Sequence, residues 1–266
     1  MSTIYVYDGT FSGLLTVISR VIQSDEEPES ITSAPPLQGD LFISIESVAT
    51  EDDRALRLAS GIREKASEEA FRNCIYAFLA EERDCEKQIL AYVRKALILG
   101  AQVDSHHCDD DVIALHRSVQ RISTECHRLK GFIRFEQLED GLLYAPIEPV
   151  HNVARLLAPH FARRLSTQRW AIHDRKRQVA VLFEKGRWET VDVLSSGLPE
   201  LSVEEKEIQR LWKAFYDSVN IRERANPRLQ RRMMPERYWK YLPELNVSPE
   251  RGMEKGRENP YTHRHD

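Results

Sequence analysis

Between Gln168 and Trp188 the chain reads QRWAIHDRKRQVAVLFEKGRW. Two apolar runs, Trp170 to Ile172 and Val179 to Phe183, flank a tip of His173, Asp174, Arg175, Lys176 and Arg177. Such a tip offers two chemistries. A histidine beside a carboxylate suits proton transfer near neutral pH. Three consecutive cations suit a phosphate. The plainer reading is the solvated end of a hairpin, with Asp174 accepting backbone N–H bonds in the turn.

His127, His151, His160 and His173 fall within one 47-residue window, out of nine histidines in the chain. An acid–base site would need His127, His160, His173 and Asp174 to converge on a single cleft. Neighbours on a strand point to opposite faces, so adjacency alone does not let Asp174 orient His173. For each histidine a structural hydrogen bond is the competing role.

Cations gather in two further places. In HRLKGFIR, residues 127–134, Lys130 and Arg134 would contact phosphates while Gly131 admits close approach of a backbone. The alternative is helix capping plus an Arg134–Glu136 pair on one strand face. Arg163 and Arg164 add to this group. Arg222 to Lys240 then interleaves seven Arg or Lys with Tyr238 and Trp239. There Arg228, Arg231, Arg232 and Arg237 would grip phosphate and Tyr238 would stack on a base, with Trp239 in the core. Anchoring of the segment by its aromatic residues is the alternative.

Net charge is −4 over 266 residues, which by itself argues against a nucleic-acid binder. The average hides segregation. His127 to Arg187 holds twelve Lys or Arg against six Asp or Glu, and Lys206 to Lys240 holds ten against four. A basic half in an otherwise acidic chain points to a polyanion partner. The sequence has no Gly-rich phosphate loop, no His-Glu-x-x-His, no Gly-x-Ser-x-Gly and no deaminase signature. That argues against nucleotide-driven motors and zinc hydrolases. Cys74, Cys85, Cys108 and Cys126 are scattered and read as reduced thiols. His106, His107 and Cys108, with Asp109 or His116, would be the only local metal cluster. Its spacing is irregular and a loop is the better reading, so no metal and no cofactor is expected. With no apolar run of membrane length and no signal peptide at the start, the expectation is a cytoplasmic protein with no membrane partner.

The elements that would position these residues are mixed α/β (α+β), helix-rich in the N-terminal half, with antiparallel hairpins and helices in the C-terminal half. Ile4 to Tyr7 reads as a strand closed by Asp8-Gly9, and Leu14 to Ile22 as a helix. Ser24 to Asp40 reads as a loop and Phe42 to Val48 as a strand. Thr50 looks like the start of a capping box. The block from about 50 to 129 is helical. Its clearest member starts at Asp109-Asp110-Asp111, carries Val112, Leu115, Val119, Ile122, Cys126 and Leu129 inward, and ends at Gly131 as C′. Phe132 to Leu138 and Leu142 to Ile147 form a hairpin around Asp140-Gly141. A short helix follows Pro149, interrupted or bent by Pro159. Glu204 to Asn220 is amphipathic, with Ile208, Leu211, Trp212, Phe215 and Val219 on its apolar face. Asn226-Pro227 opens a short basic helix. One α/β domain would span 1–247, its hairpin-containing basic part about 130–244, before a disordered tail over 248–266.

Four blocks resemble a known family. They are YVYDGTFSGLLTVI, HRLKGFIRFEQLEDGLLYAPIEPVHNVARLLAPHFARRL, WAIHDRKRQVAVL and ERANPRLQRRMMPERYWKYLPE. Together they are similar, from about Ile4 to Glu244, to a bacterial family of DNA metabolism proteins catalogued as domain of unknown function 4130. The resemblance implies a DNA partner, single- or double-stranded, and a radical-SAM DNA modification or repair protein encoded nearby. Some members carry a C-terminal uracil-DNA-glycosylase-like domain. No glycosylase motif stands here, and the resemblance carries over no catalytic residues. The expectation is a DNA repair or modification accessory protein. The alternatives are an enzyme acting on a nucleobase or nucleotide, and a protein-docking scaffold.

Overall fold

The computed structural model describes residues 2–34, 43–193 and 199–245. The expected tail over 248–266 lies outside them. The chain divides into two compact units, Met1–Glu125 and Cys126–Asp266.

In the first unit, Tyr5 of β1 (Ser2–Val6) and Tyr7 just beyond its end turn inward. Asp8 and Gly9 then turn the chain into α1 (Phe11–Ser24), with Gly9 at φ 79. Thr10 caps α1 by accepting the Gly13 N–H at 2.9 Å. Leu14, Leu15, Val17, Ile18 and Val21 are buried from it. β2 (Ser30–Thr32) corrects the expected loop over Ser24–Asp40. Three residues give too short a pattern to read, but β1 supplies a ladder and Ile31 enters the core. β3 (Ile43–Ser47) pairs with the other side of β1, so the sheet is parallel in the order β2-β1-β3.

The helical block follows as α2 (Asp52–Lys65), α3 (Glu68–Ala80), α4 (Cys85–Leu99), a 3-10 turn (Gly100–Ser105) and α5 (Asp110–Phe132). Thr50 does not cap α2. The N-cap is Glu51, and the Thr50 hydroxyl donates to Asp8 instead. Asp109 opens α5 by accepting the Asp111 and Val112 N–H groups. Gly131 does not end that helix, which runs one residue past it. An exposed glycine inside a last turn weakens a helix without forbidding it.

The second unit is built on a five-stranded mixed sheet in sequence order, formed by β4 (Glu136–Gln137), β5 (Leu143–Ile147), β6 (Trp170–Asp174), β7 (Val179–Glu184) and β8 (Arg187–Asp192). The Asp-Gly hairpin forms, with Gly141 at φ 80, although its first strand is only two residues long. β5 and β6 are parallel, so that α6 (Ala154–Arg164) is their crossover helix. Pro159 does not interrupt it. Both Pro159 and Arg155, whose carbonyl loses its helical N–H, face solvent. Trp170, fully buried, stacks on Phe183 at 5.1 Å and meets Phe161 and Phe135 edge-on. Ala171, Tyr144 and Leu138 pack on the opposite face with Leu142, Leu182 and Leu201.

The chain continues through α7 (Val203–Val219), α8 (Pro227–Met233) and a 3-10 turn (Glu236–Tyr241). Asn226 caps α8 by accepting the Leu229 N–H at 3.0 Å. Tyr238, not Trp239, is the aromatic that becomes buried here, its ring 5.8 Å from that of Phe132. Trp239 stays half-buried and donates to the Met234 carbonyl. The apolar face expected to bury α7 is exposed, since no residue of that helix is buried.

Candidate functional site

The hairpin tip is largely engaged within the protein. Asp174 is 1% exposed and accepts the backbone N–H groups of Lys176 and Arg177. Its other oxygen receives the Arg177 guanidinium at 2.8 Å. Arg177 also donates to the Val150 carbonyl at 2.8 Å, and Lys176 Nζ reaches the same carbonyl at 3.2 Å. The Arg175 N–H joins β5 through the Ile147 carbonyl. The tip is therefore a clamp that fastens the β6–β7 turn onto the 147–150 loop.

His173 lies one residue back on the other face. It is 2% exposed, and its Nδ1 shares a 2.6 Å hydrogen bond with the Tyr144 hydroxyl. Nε2 is buried with no hydrogen-bond partner among the described residues. Burial holds the His173 pKa below the usual imidazole value, Arg175 pushes the same way, and Asp174 opposes them. Burial likewise raises the Tyr144 hydroxyl, and the Arg175 charge opposes that rise. Nearby, Tyr241 donates to Glu148 at 2.6 Å, and Lys240 pairs with the same carboxylate. Burial works against the Glu148 charge, but those two hydrogen bonds outweigh it and lower its pKa.

The four acid–base candidates do not come together. Trp170 turns toward Phe161 of α6, so His173, an odd number of residues along β6, turns away from that helix. His160 is on α6, His127 is exposed on α5, and Asp174 is committed to the turn and Arg177. One cleft lined by all four is not formed.

The nucleic-acid candidates divide as sharply. Arg134 is paired with Glu244 at 2.9 Å rather than with Glu136. Arg231 is paired with Glu236. Arg237 lies over the Tyr238 ring and donates to its hydroxyl, and Tyr238 is too buried to offer a face to a base. Arg228 and Arg232 are exposed. Lys130, Arg163 and Arg164 differ from the paired cations. They stand at the ends of α5 and α6, make no ion pair among the described residues, and all act electrostatically on His160. Burial lowers the His160 pKa first, and then each of these three cations adds to the depression.

In the first unit, reading the sequence for chemistry missed Asp8. It follows the central strand, where ligands of open parallel sheets gather at strand carboxyl ends. Its carboxylate accepts the Thr10 N–H and hydroxyl and the Thr50 hydroxyl, and these bonds lower its pKa despite the cost of desolvation. A Cβ on Gly13 would collide with it. The Asp-Gly-Thr run with a glycine three residues on was the visible signal. Here it builds a helix entry. The loop around His106 holds no cluster of metal-ligand type among the described residues. Asp109 pairs with Lys95, and His116 with Asp104 at 2.8 Å.

Fold and site together define a mixed α/β protein whose second unit carries a small cationic cluster. The chain belongs to the family described as a domain of unknown function, DUF4130, whose model matches residues 83–244, more than half of its length. The match takes in α4, α5 and the second unit through Glu244, the carboxylate that pairs with Arg134. No curated protein matches the chain. Among the described residues no helix is long and apolar enough to cross a membrane.

Proposed function

We propose that this protein binds DNA through its second unit, as an accessory to DNA repair or modification, with Lys130, Arg163 and Arg164 as the phosphate-contacting group. One observation carries the reading. Arg163 and Arg164 stand three and four residues past His160 on one face of α6, the Lys130 charge also acts on that histidine, and no carboxylate pairs with any of the three among the described residues. Like charges brought together without neutralisation repel, and a polyanion relieves that repulsion while releasing counterions. The basic balance of residues 127–187 supports the same partner. So does the resemblance to proteins encoded beside a radical-SAM DNA modification or repair protein, which names a candidate companion.

A salt titration of binding to a labelled duplex tests this. Three phosphate contacts give a log–log slope near about −2.7, so affinity falls roughly 40-fold between 50 and 200 mM salt. Substituting Lys130, Arg163 and Arg164 with alanine together is expected to flatten that dependence. Binding indifferent to salt, or none at low salt, overturns the proposal.

A further inference from the structure

α7 is docked through its polar side. Glu205 accepts the Gln137 N–H, Gln209 donates to Glu136, and the Trp212 indole N–H donates to Glu244. About a quarter-turn away runs its apolar stripe, where Ile208 is 56% exposed, Leu211 54%, Phe215 55% and Val219 54%. Four large side chains at helical spacing, each more than half exposed, form the kind of patch that marks an interface.

A second uncovered patch of the same unit carries the opposite charge. On α8, Leu229 and Met233 are an i, i+4 pair, 45% and 60% exposed. Arg228 and Arg232 form the adjacent row, both exposed and neither ion-paired among the described residues. On α7 the first half of the stripe is flanked instead by exposed Glu204 and by exposed Glu207, whose i, i+3 pair with Arg210 is a solvent-exposed one of small worth. One surface is apolar with an acidic border, and the other is apolar with a basic border.

We infer that the occupant of these surfaces is a second copy of this chain, in a two-fold arrangement where α7 of each copy receives α8 of the other. Leu229 and Met233 cover Ile208 and Leu211, while Arg228 and Arg232 meet Glu204 and Glu207. A two-fold interface is self-complementary, so one contact made twice covers the α8 patch and the first half of the α7 stripe on both copies. Charge complementarity selects this exchange. Pairing α7 with α7 in parallel, or α8 with α8, would set like charges together. Arg228 and Arg232 then serve assembly rather than phosphate, so the inference stands apart from the DNA reading.

Sedimentation equilibrium of the full chain tests it. The mass is expected to be twice 30.9 kDa. Leu211→Glu, an exposed position inside the contact, is expected to weaken the dimer by roughly 30-fold or more, the scale of an interface hot spot. Glu204→Lys with Glu207→Lys is expected to dissociate it, and adding Arg228→Glu with Arg232→Glu to restore it. Restoration is the arm that a merely sticky helix would not show. A wild-type monomer at about 100 µM overturns the inference, as does failure of the four-fold reversal to restore the dimer. So does a Leu211→Glu protein that keeps its mass but loses DNA affinity, which would make the stripe a nucleic-acid surface.

Discussion

Two basic clusters of the second unit look alike in sequence and behave differently in the fold. Arg175, Lys176 and Arg177 are consecutive on a hairpin tip, and Arg163 and Arg164 are consecutive at a helix end. The tip is tied down by a buried carboxylate and the carbonyls of a neighbouring loop. Among the described residues the helix end shows no such acceptor, and both of its arginines are exposed. Charge density along a chain therefore does not identify a phosphate site. What separates the two clusters is whether an internal acceptor lies within reach.

The largest expected effect breaks the tip. Asp174→Ala removes the acceptor of two backbone N–H groups and one guanidinium, leaving a mostly buried cation without its carboxylate. Removing one partner of a buried pair costs about 3–5 kcal/mol. Urea unfolding is expected to show a loss of that size, against under about 0.5 kcal/mol for Arg163→Ala at its exposed position. Equal losses would mean that the helix-end cations are structural too.

Next in size is a pH effect centred on His173. Its folded-state pKa lies below the usual value, so the unfolded chain takes up a proton first as pH falls. The stability tied to the neutral ring is complete above about pH 6.5 and is lost below it, by up to about 1.4 kcal/mol per pH unit until the folded-state pKa is reached. His160 adds a contribution of the same sign. Urea midpoints at pH 7.5 and 5.5, compared between wild type and His173→Gln, isolate the first group. A wild-type midpoint that does not fall on acidification contradicts the neutral, buried ring.

The legible parts of this molecule were those whose signals are local. α5 announced itself by acids at its start and apolar residues three and four apart, and the 170–183 hairpin by its flanking runs. Asp174 was readable as the turn acceptor because its bonds reach only two and three residues ahead. What stayed hidden depended on distant partners. Tyr144 meets His173 across 29 residues, and Arg134 finds Glu244 across 110. β2 exists because β1 offers a ladder, and the parallel pairing of β5 with β6 is not encoded in either strand. Periodicity identified the apolar face of α7 and was silent on whether anything covers it.

Acidification also sharpens the helix-end cluster. Lys130, Arg163 and Arg164 depress the His160 pKa, and a phosphate set among them would cancel part of that depression. Binding then carries proton uptake, so affinity is expected to rise a few-fold from pH 7.5 to 6. His160→Gln should remove the increase while leaving affinity at pH 7.5 close to wild type. A pH-independent affinity in wild type would place the bound phosphates elsewhere.

The smallest difference decides between the clusters most directly. Lys176 is the exposed residue of the tip, and its hydrogen bond to the Val150 carbonyl, at 3.2 Å, is weak enough to exchange for a phosphate. If the tip is only a clamp, Lys176→Ala leaves the salt slope of DNA binding unchanged. Arg163→Ala, by contrast, removes one phosphate contact and is expected to reduce the slope by about 0.9. A reduction of that size in the Lys176 variant would mean that the tip opens in the complex. The clamp would then be a feature of the free protein alone, and Arg177, held by a carboxylate as well as a carbonyl, would be the last of the tip cations to leave it.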